Sequence, residues 1–367
     1  MVLKRKRYRS KRVSIITITD PTPNYGNRLQ NYAVVSVLNT FGLHVVTLNT
    51  QRQTSLIKWR LKAIINALSG YHLSKNQATF IKGICFGKFA NKYLNPSNEL
   101  LEGKLKSNKY DYYVLGSDQV WNPAWYTPLK KEAFLLTFAG PEQKVCFSPS
   151  FGIEELPSEW KEWFKANLQT FPHLSVRENA GKKIINNLIG RDAEVLIDPT
   201  LMLDKADWLK IAKKPKKVDF SKRYILTCFL GDRTTRIEND LKKYAEENNL
   251  IIFNLLDRTQ PDLFKSGPSE FIFLISRAAL VMTDSFHACV FSFIFQKPFL
   301  LYARQGKENN MLSRMDTLFN TFDLRRKYVD SGINNDLFEC DYSKGYKQLE
   351  IERKKAIKFL KESLHLE

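Results

Sequence analysis

The chain has 367 residues, enough for two domains of ordinary size, and its apolar share of 43% and charged share of 26% are typical of a globular protein. No uncharged apolar run is long enough for a membrane helix or a signal-peptide core, so we expect a cytoplasmic location. The five cysteines are scattered and never form a C-x-x-C pair, which argues against a disulfide framework and against a metal site.

Part of the net charge of +19 is concentrated in a predicted basic tail, residues 1–12, in which Lys4 to Arg12 includes seven basic residues. A basic surface attracts nucleic acid, anionic lipid or a phosphorylated substrate. No nucleic-acid-binding motif accompanies the charge, so we expect no nucleic-acid partner. The tail is interpreted either as a solvated end of the chain or as a tether to the anionic inner face of the cytoplasmic membrane.

The first part of the chain alternates between short apolar strands and helices, the pattern of a buried parallel sheet. It predicts an N-terminal domain at residues 13–202, in which the basic stretch from Gln51 to Glu102 is helical or irregular and hard to parse. The predicted elements are the helix Gly26–Leu38 and the strands Val13–Thr19, Leu43–Leu48, Tyr112–Leu115, Lys144–Ser148, His173–Val176 and Glu194–Ile197.

A lysine-rich stretch interrupts this alternation and predicts a linker at residues 203–222. A second domain follows at residues 223–340, and an amphipathic C-terminal helix at residues 341–367. We therefore predict an α/β protein with two facing Rossmann-like domains and a ligand site in the cleft between them. The predicted elements of the second domain are the strands Tyr224–Leu230, Leu250–Leu255, Ala279–Thr283 and Pro298–Tyr302 and the helices Arg236–Asn248, Ser269–Ala278 and His287–Phe295.

Polar clusters follow several of the predicted strands, and the first surrounds Gly26. A glycine at a strand-to-helix turn lets the backbone approach a ligand closely, and the helix start offers free N–H groups. The amides of Asn24, Asn27 and Gln30 suit sugar hydroxyls. Helix capping by Asn24 or Asn27 is the structural alternative.

A second cluster follows the strand Tyr112–Leu115 and contains Asp118, Gln119, Trp121 and Asn122. Asp118 could accept a proton from a sugar hydroxyl, the amides of Gln119 and Asn122 could bind the sugar, and Trp121 could stack on its face. A capped turn with a half-buried tryptophan is the alternative. The density of polar groups at a strand end favours a binding function.

Two further clusters offer positive charge. Arg177, at a predicted strand end, could bind a carboxylate or phosphate through two parallel hydrogen bonds, or form a salt bridge with Glu178 or another acid. His287, in the sequence Thr283-Asp284-Ser285-Phe286-His287, lies at a strand-to-helix junction where N–H groups would suit an anion. The other four histidines lack such a setting, so His287 is the candidate catalytic histidine.

In their order along the chain, these clusters resemble the motifs of the polysaccharide pyruvyltransferase family, over residues 15–302. The resemblance implies a fold similar to that of double-Rossmann glycosyltransferases. It also implies transfer of an enolpyruvyl unit from phosphoenolpyruvate, with no separate cofactor, to form a ketal on two sugar hydroxyls. The motifs are N-Y-G-N-R-L-Q-N-Y-A, V-L-G-S-D-Q-V-W-N-P, S-V-R-E, I-D-P-T, T-D-S-F-H and K-P-F.

Under this resemblance the N-terminal domain would hold a sugar or lipid-linked oligosaccharide acceptor and the C-terminal domain the donor. Arg177 and His287 would face phosphoenolpyruvate, with His287 as general acid and Asp118 as general base. Ser285 and Lys297 would complete the donor side. The best-studied members of the family carry Arg-Leu-His at the position of Ser285, Phe286 and His287. That difference leaves Lys297 or Arg304 to replace the missing charge, or indicates a different donor.

Two other functions remain open from the sequence. One is a nucleotide-sugar-dependent glycosyltransferase of the same two-domain fold, because fold does not determine function. The other is a non-catalytic sugar-binding protein of envelope assembly, for which His287 would be dispensable.

Overall fold

Two parallel β-sheets organise the chain, as the alternation of strands and helices predicts. The computed structural model describes residues 11–51, 75–105, 109–305, 312–331, 337–338 and 340–367. One continuous hydrophobic core includes side chains of both sheets, among them Ile15 of the first and Val281 of the second. Within the described residues, no helix is both long and apolar enough to cross a membrane.

The first sheet has five parallel strands in the order β3-β2-β1-β4-β5. The chain leaves the central β1 in one direction to build β2 and β3, and then returns to the other side of β1 for β4 and β5. This reversal makes the β1–β4 boundary a topological switch point. The strands are β1 (Arg12–Ile16), β2 (His44–Leu48), β3 (Pro96–Ser97), β4 (Tyr112–Leu115) and β5 (Lys144–Cys146).

The helices of this half are α1 (Tyr25–Thr40), α2 (Lys75–Tyr93), α3 (Pro128–Ala133), α4 (Ser158–Leu168) and α5 (Asn179–Ile189). In the stretch that the sequence indicated as helical or irregular, the described residues form the helix α2 and the short strand β3. A separate pair of short parallel strands, β6 (Ser175–Val176) and β7 (Glu194–Val195), flanks α5.

The second sheet has four parallel strands, β8 to β11, in the order β11-β10-β8-β9. Its switch point lies between β8 and β10, where the strand order reverses. Its strands are β8 (Tyr224–Cys228), β9 (Ile251–Asn254), β10 (Leu280–Thr283) and β11 (Phe299–Leu301). The helices that follow β7 are α6 (Lys205–Ile211), α7 (Thr235–Glu247), α8 (Pro261–Phe264), α9 (Pro268–Arg277), α10 (Phe286–Ile294), α11 (Leu312–Thr321) and α12 (Ser343–Ser363).

The stretch predicted as a linker contains a helix that packs on the rest of the protein. Its first part forms α6, whose Trp208 is fully buried and donates a hydrogen bond from its indole N–H to the Thr200 carbonyl, 3.1 Å away. The sequence did not reveal this packing, because a single tryptophan in a short lysine-rich stretch gives little periodicity. The exact domain boundaries stay a prediction.

The C-terminal helix α12 packs back on the first half of the chain. Arg353 donates hydrogen bonds to the carbonyls of Leu201 and Leu203, at 2.7 and 2.9 Å. Lys11 donates to the carbonyl of Leu364, 3.0 Å away. Lys11 and Arg12 were predicted to be tail, but Arg12 begins β1; residues 1–10 of that tail lie outside the described residues.

The two sheets are joined by aromatic packing around Tyr25, the first residue of α1. Its ring stacks on Phe271 of α9 at 4.6 Å between centroids, and its hydroxyl donates to the Ser266 carbonyl at 2.8 Å. Lys82 of α2 covers this junction, with its ammonium 4.8 Å from the centre of the Tyr25 ring and 4.5 Å from that of Phe264. Burial lowers the pKa of Lys82 to about 8.

We expect Lys82 to make the protein more stable as the pH rises. Its folded pKa lies below that of an unfolded lysine, about 10.4, so between these values the unfolded chain binds a proton that the folded chain does not. Unfolding by urea should therefore show a gain of about 2 kcal/mol between about pH 7.5 and pH 10 that Lys82→Met lacks. Lys88→Met, an exposed lysine on the same helix, is the matched control. Equal pH dependence in wild type and Lys82→Met would contradict this prediction.

Candidate active site

A cavity of about 400 Å³ lies at the carboxyl ends of both sheets. Its walls come from the segments that follow β1 and β4 in the first sheet and β8 and β10 in the second, the strands that flank the two switch points. Ligands of open α/β sheets bind at such points, and the volume falls in the range of small-molecule sites. The cavity is therefore the candidate active site.

Two helix N-termini, those of α1 and α10, meet at this cavity. Gly26 of α1 lies directly against the ring of His287 of α10: a Cβ atom added at Gly26 would be 2.0 Å from His287 Nδ1. Asn24 caps α1 by accepting a hydrogen bond from the Asn27 N–H at 3.2 Å, as the structural alternative predicted. Neither helix has an acid in its first turn. The partial positive charge at each helix N-terminus, beside the cavity, is therefore not neutralised by a side chain of the same helix.

Asp198 fixes the other side of His287. Its Oδ2 lies 3.6 Å from His287 Nε2 and accepts a hydrogen bond from Arg177 Nη1 at 2.6 Å. Its Oδ1 accepts from the N–H and hydroxyl of Thr200. Burial alone would raise the pKa of Asp198, but His287 and Arg177 outweigh burial and hold it well below its usual value. Asp198 is therefore an ionised carboxylate placed beside Nε2 of the imidazole.

Arg177 links this pair to Asp118. Its Nη2 lies 3.6 Å from Asp118 Oδ1, and its guanidinium carbon lies 4.9 Å from the centre of the Phe286 ring. Burial would lower the pKa of Arg177, but the charges of Asp198 and Asp118 outweigh it and raise the pKa. Arg177 is not among the residues that line the cavity, so its direct contact with a donor stays a prediction.

Glu178, the first acid that the sequence offered as a partner for Arg177, has a different role. Its Oε1 accepts hydrogen bonds from the Ser150 hydroxyl and from the N–H groups of Phe151 and Gly152, at 3.1, 2.8 and 3.2 Å. These bonds fix the loop after β5, which packs on the side chain of Gln119 at Gly152. Glu178 therefore supports the cavity wall from behind.

The structure brings most of the predicted site residues to the cavity. Asp118 has a positive φ of 77°, and its Oδ1 accepts a hydrogen bond from the Gln119 N–H at 2.9 Å. Ser285 is the N-cap residue of α10, although its side chain makes no capping hydrogen bond. The predicted residues that line the cavity are Asn24, Gly26, Asn27, Asp118, Gln119, Ser285 and His287.

Two predicted acceptor contacts are wrong because the side chains are in the core. Trp121 is 0% exposed and donates its indole N–H to the Phe134 carbonyl at 3.0 Å, so no sugar can stack on it. Gln30 is equally buried; its amide bridges the two switch-point segments by donating to Thr17 Oγ1 and accepting from the Ser117 N–H, both at 2.9 Å.

Asn122 and Lys297 are also displaced from the cavity. The Asn122 side chain accepts from the Ala124 N–H at 3.1 Å and so caps a short 3-10 helix. Lys297 follows the C-terminal end of α10, whereas His287 is at its N-terminal end, so Lys297 cannot supply the missing donor charge. Of the two candidates for that charge, Arg304 is the one that lines the cavity.

The structure adds Asp198, beside His287, and Trp125 and Arg314, in the cavity wall, to the residues predicted from the sequence. Asp198 was within reach, since the I-D-P-T motif places it directly after a predicted strand. Trp125, 43% exposed, lines the cavity where Trp121 had been expected. Arg314, on α11, lines the cavity although it is only 3% exposed and belongs to no motif. In the described part of the chain, no group of three or more His, Cys, Asp or Glu side chains could hold a metal ion.

Comparison with known proteins identifies the kind of protein that the chain resembles. A family model described as polysaccharide pyruvyl transferase matches residues 24–306, which include all six motifs. No curated protein matches the chain.

Three solved structures are similar to the chain over nearly its whole length, at low TM-scores. A glycosyltransferase from Rickettsia africae is 12% identical, with a TM-score of 0.43 and coverage of 97% of this chain and 99% of the other. A UDP-GlcNAc 2-epimerase from Neisseria meningitidis is 12% identical, with a TM-score of 0.43 and coverage of 95% and 99%. The S. aureus protein MnaA, solved with UDP, is 11% identical, with a TM-score of 0.45 and coverage of 97% and 98%.

We expect Gly26→Ala to displace the ring of His287. The added methyl group would lie 2.0 Å from Nδ1, and carbon atoms normally stay about 3.5 Å from their neighbours, so the ring must move by about 1 Å or more. Histidine NMR spectra, with the His287 signal assigned from a His287→Asn sample, should show the signal shifted. Gly83→Ala is the matched control, because a Cβ there meets nothing within 4 Å. An unchanged His287 signal in Gly26→Ala would disprove the contact.

Proposed function

The chain belongs to the polysaccharide pyruvyl transferase family, and from that premise we propose that it transfers the enolpyruvyl unit of phosphoenolpyruvate to two hydroxyls of a sugar, forming a pyruvate ketal. The observation that carries the proposal is His287, which lines the cavity between two helix N-termini with its Nε2 beside the Asp198 carboxylate. A general acid in an anion-attracting setting is what the donor requires.

The charge of the donor suits the positive side of the cavity. Phosphoenolpyruvate carries a carboxylate and a phosphate, which favour fixed positive groups over mobile water. The N-termini of α1 and α10 supply partial positive charge, and Arg304 supplies a guanidinium held by Asp284. Ser285 adds a hydroxyl at the start of α10.

Proton transfer accounts for the roles of the two ionisable groups. A proton is added to the methylene carbon of the donor, and the neighbouring carbon becomes electrophilic. The first sugar hydroxyl adds to that carbon, the bond to the phosphate oxygen breaks, and the second hydroxyl closes the ketal. Of the two hydroxyl protons, one replaces the proton given to the methylene carbon and the other leaves with phosphate. His287 is the acid, and Asp118 the base.

Asp198 and Arg177 position these groups. The Asp198 carboxylate lies 3.6 Å from Nε2 of His287, and Arg177 holds both Asp198 and Asp118. The acid and the base are thereby kept in a fixed relation on opposite ends of one ion-paired chain. Orientation of this kind contributes to the rate by lowering the entropy lost in reaching the transition state.

The acceptor side is polar with one exposed aromatic ring. The amides of Asn24, Asn27 and Gln119 line the cavity and suit sugar hydroxyls, and the ring of Trp125 offers an apolar face at the same wall. A lipid-linked oligosaccharide at the inner face of the cytoplasmic membrane would suit this acceptor side, and the basic residues 1–12 would favour that surface electrostatically.

His287→Asn is expected to lower the rate of phosphate release from phosphoenolpyruvate in the presence of sugar acceptors by about 100- to 10,000-fold, the usual contribution of a general acid. Binding of phosphoenolpyruvate, measured by calorimetry, should persist. The exposed histidine of β2 gives the control His44→Asn, which should retain the wild-type rate. A near wild-type rate in His287→Asn would remove this residue from the mechanism. Binding of nucleotide sugars but not phosphoenolpyruvate by the wild type would reject the donor.

Trp125→Ala is expected to raise the KM for the acceptor about tenfold, the effect of losing about 1–2 kcal/mol of apolar contact, while the KM for phosphoenolpyruvate stays constant. Trp125→Phe should restore most of the affinity, since it keeps an aromatic face. Leu209→Ala, which changes a similarly exposed apolar residue of α6, controls for surface effects. Equal changes in both KM values would argue against an acceptor contact at Trp125.

A further inference from the structure

Three arginines are clustered at the donor side of the cavity: Arg177, Arg304 and Arg314. Arg304 and Arg314 line the cavity, and Arg314 is 3% exposed. The guanidinium carbons of Arg177 and Arg314 lie 4.9 and 5.8 Å from the centre of the Phe286 ring, so this ring is in contact with both cations. Three guanidinium groups thus lie around the start of α10, near Ser285 and His287.

The positive charge of Arg314 is costly where it lies. Burial lowers its pKa to about 10, and the neighbouring charges of Arg177 and Arg304 act in the same direction. Asp118 and Glu178 oppose the shift without cancelling it. A buried cation in such a place is stabilised by an anion that approaches from the cavity.

Three of the four acids near these arginines lie outside the cavity wall and bind other groups of the protein. Asp284 accepts hydrogen bonds from the N–H groups of Leu230 and Gly231, at 2.7 and 2.8 Å, in addition to its contact with Arg304. Asp198 and Glu178 are absent from the cavity wall and hold, respectively, Thr200 and the loop after β5. Asp118 is the acid of the cluster that lines the cavity.

Hydrogen-bond donors predominate around the start of α10, both in the cavity wall and directly behind it. Among the described residues, Nε and Nη2 of Arg177 have no hydrogen-bond acceptor, although both atoms are buried. The Ser285 side chain is not used to cap its helix. These groups and the two cavity-lining arginines surround the position where the family resemblance would place an arginine instead of Ser285.

We propose that Arg314, with Arg304, forms an anion subsite that binds the phosphoryl group of a small phosphorylated donor. Arg314 lies beyond the segment that matches the family, which ends at residue 306. Its planar guanidinium can bind two phosphoryl oxygens at once. The identification of the donor as phosphoenolpyruvate rests on the proposed function, whereas the phosphoryl subsite itself does not.

Calorimetry at low ionic strength tests the subsite with inorganic phosphate and, separately, phosphoenolpyruvate. We expect Arg314→Gln to weaken the binding of both by at least about tenfold, the effect of losing one charge-assisted hydrogen-bonding group. Arg314→Lys should lose less, because it keeps the charge without the planar geometry. Arg353→Gln, which removes a guanidinium bonded to Leu201 and Leu203 on α12, should bind both anions as the wild type does.

Three results would each overturn the subsite. Arg314→Gln could bind phosphate with wild-type affinity, or the wild type could fail to bind phosphate. Arg353→Gln could also lose as much affinity for the two anions as Arg314→Gln does. Circular dichroism checks the fold of each variant; if Arg314→Gln does not fold, wild-type affinity for both anions in Arg314→Lys overturns it. Phosphate binding that depends on Arg314, together with no binding of phosphoenolpyruvate, supports the subsite and rejects the proposed donor. If the protein transfers the unit from phosphoenolpyruvate but binds phosphate equally well without Arg314, the proposed donor is supported and the subsite is rejected.

Discussion

The buried ion pair between Arg177 and Asp198 is the constraint on which the rest of the site depends. Arg177 follows β6 and Asp198 follows β7, so the pair closes the end of the small two-stranded sheet. Each member also reaches outward, Asp198 to His287 and Arg177 to Asp118. Removal of one partner from a buried pair typically costs about 3–5 kcal/mol, because it leaves the other charge uncompensated. The site and the stability of this region therefore share the same two residues.

Around this pair, most of the acids lie behind the cavity wall, and two of the three arginines, Arg304 and Arg314, line it. Four carboxylates, those of Asp118, Glu178, Asp198 and Asp284, lie close to the three arginines, and three of the four lie outside the cavity wall. The acids satisfy backbone N–H groups and support loops, and the cations are left nearer to the space that a ligand would fill. Such a layered arrangement orients dipoles and charges before a ligand arrives, which is the physical basis of electrostatic preorganisation.

Much of the fold followed from the sequence, and the site followed in part. Short apolar runs bounded by turn residues located most strands of both sheets, and the switch-point rule then brought Gly26, Asp118 and His287 together. The pattern could not tell which side chains of a strand-end cluster turn inward. Trp121 and Gln30 therefore went to the core, while Trp125, four residues after Trp121, came to the cavity.

Other errors came from distance along the chain rather than from orientation. Lys297 was assigned to the donor side because it follows the helix of His287, but an α-helix of nine residues separates its two ends by about 13 Å. Arg314 had no nearby motif, and only the packing of α11 against α5 brings it to the site. Contacts of this kind depend on tertiary packing, which local periodicity does not encode.

The close contact between His287 and Gly26 joins residues that are far apart in the chain. The imidazole belongs to the first turn of α10, which follows a strand of the second sheet. Gly26 and Asp198, the groups that position it, both belong to the predicted N-terminal domain, residues 13–202. Any separation of the halves would take the histidine away from its carboxylate and from its glycine seat together. The imidazole is thus oriented only when the two parts of the chain are packed together. The contact that closes the cavity is therefore the same contact that places the histidine for proton transfer.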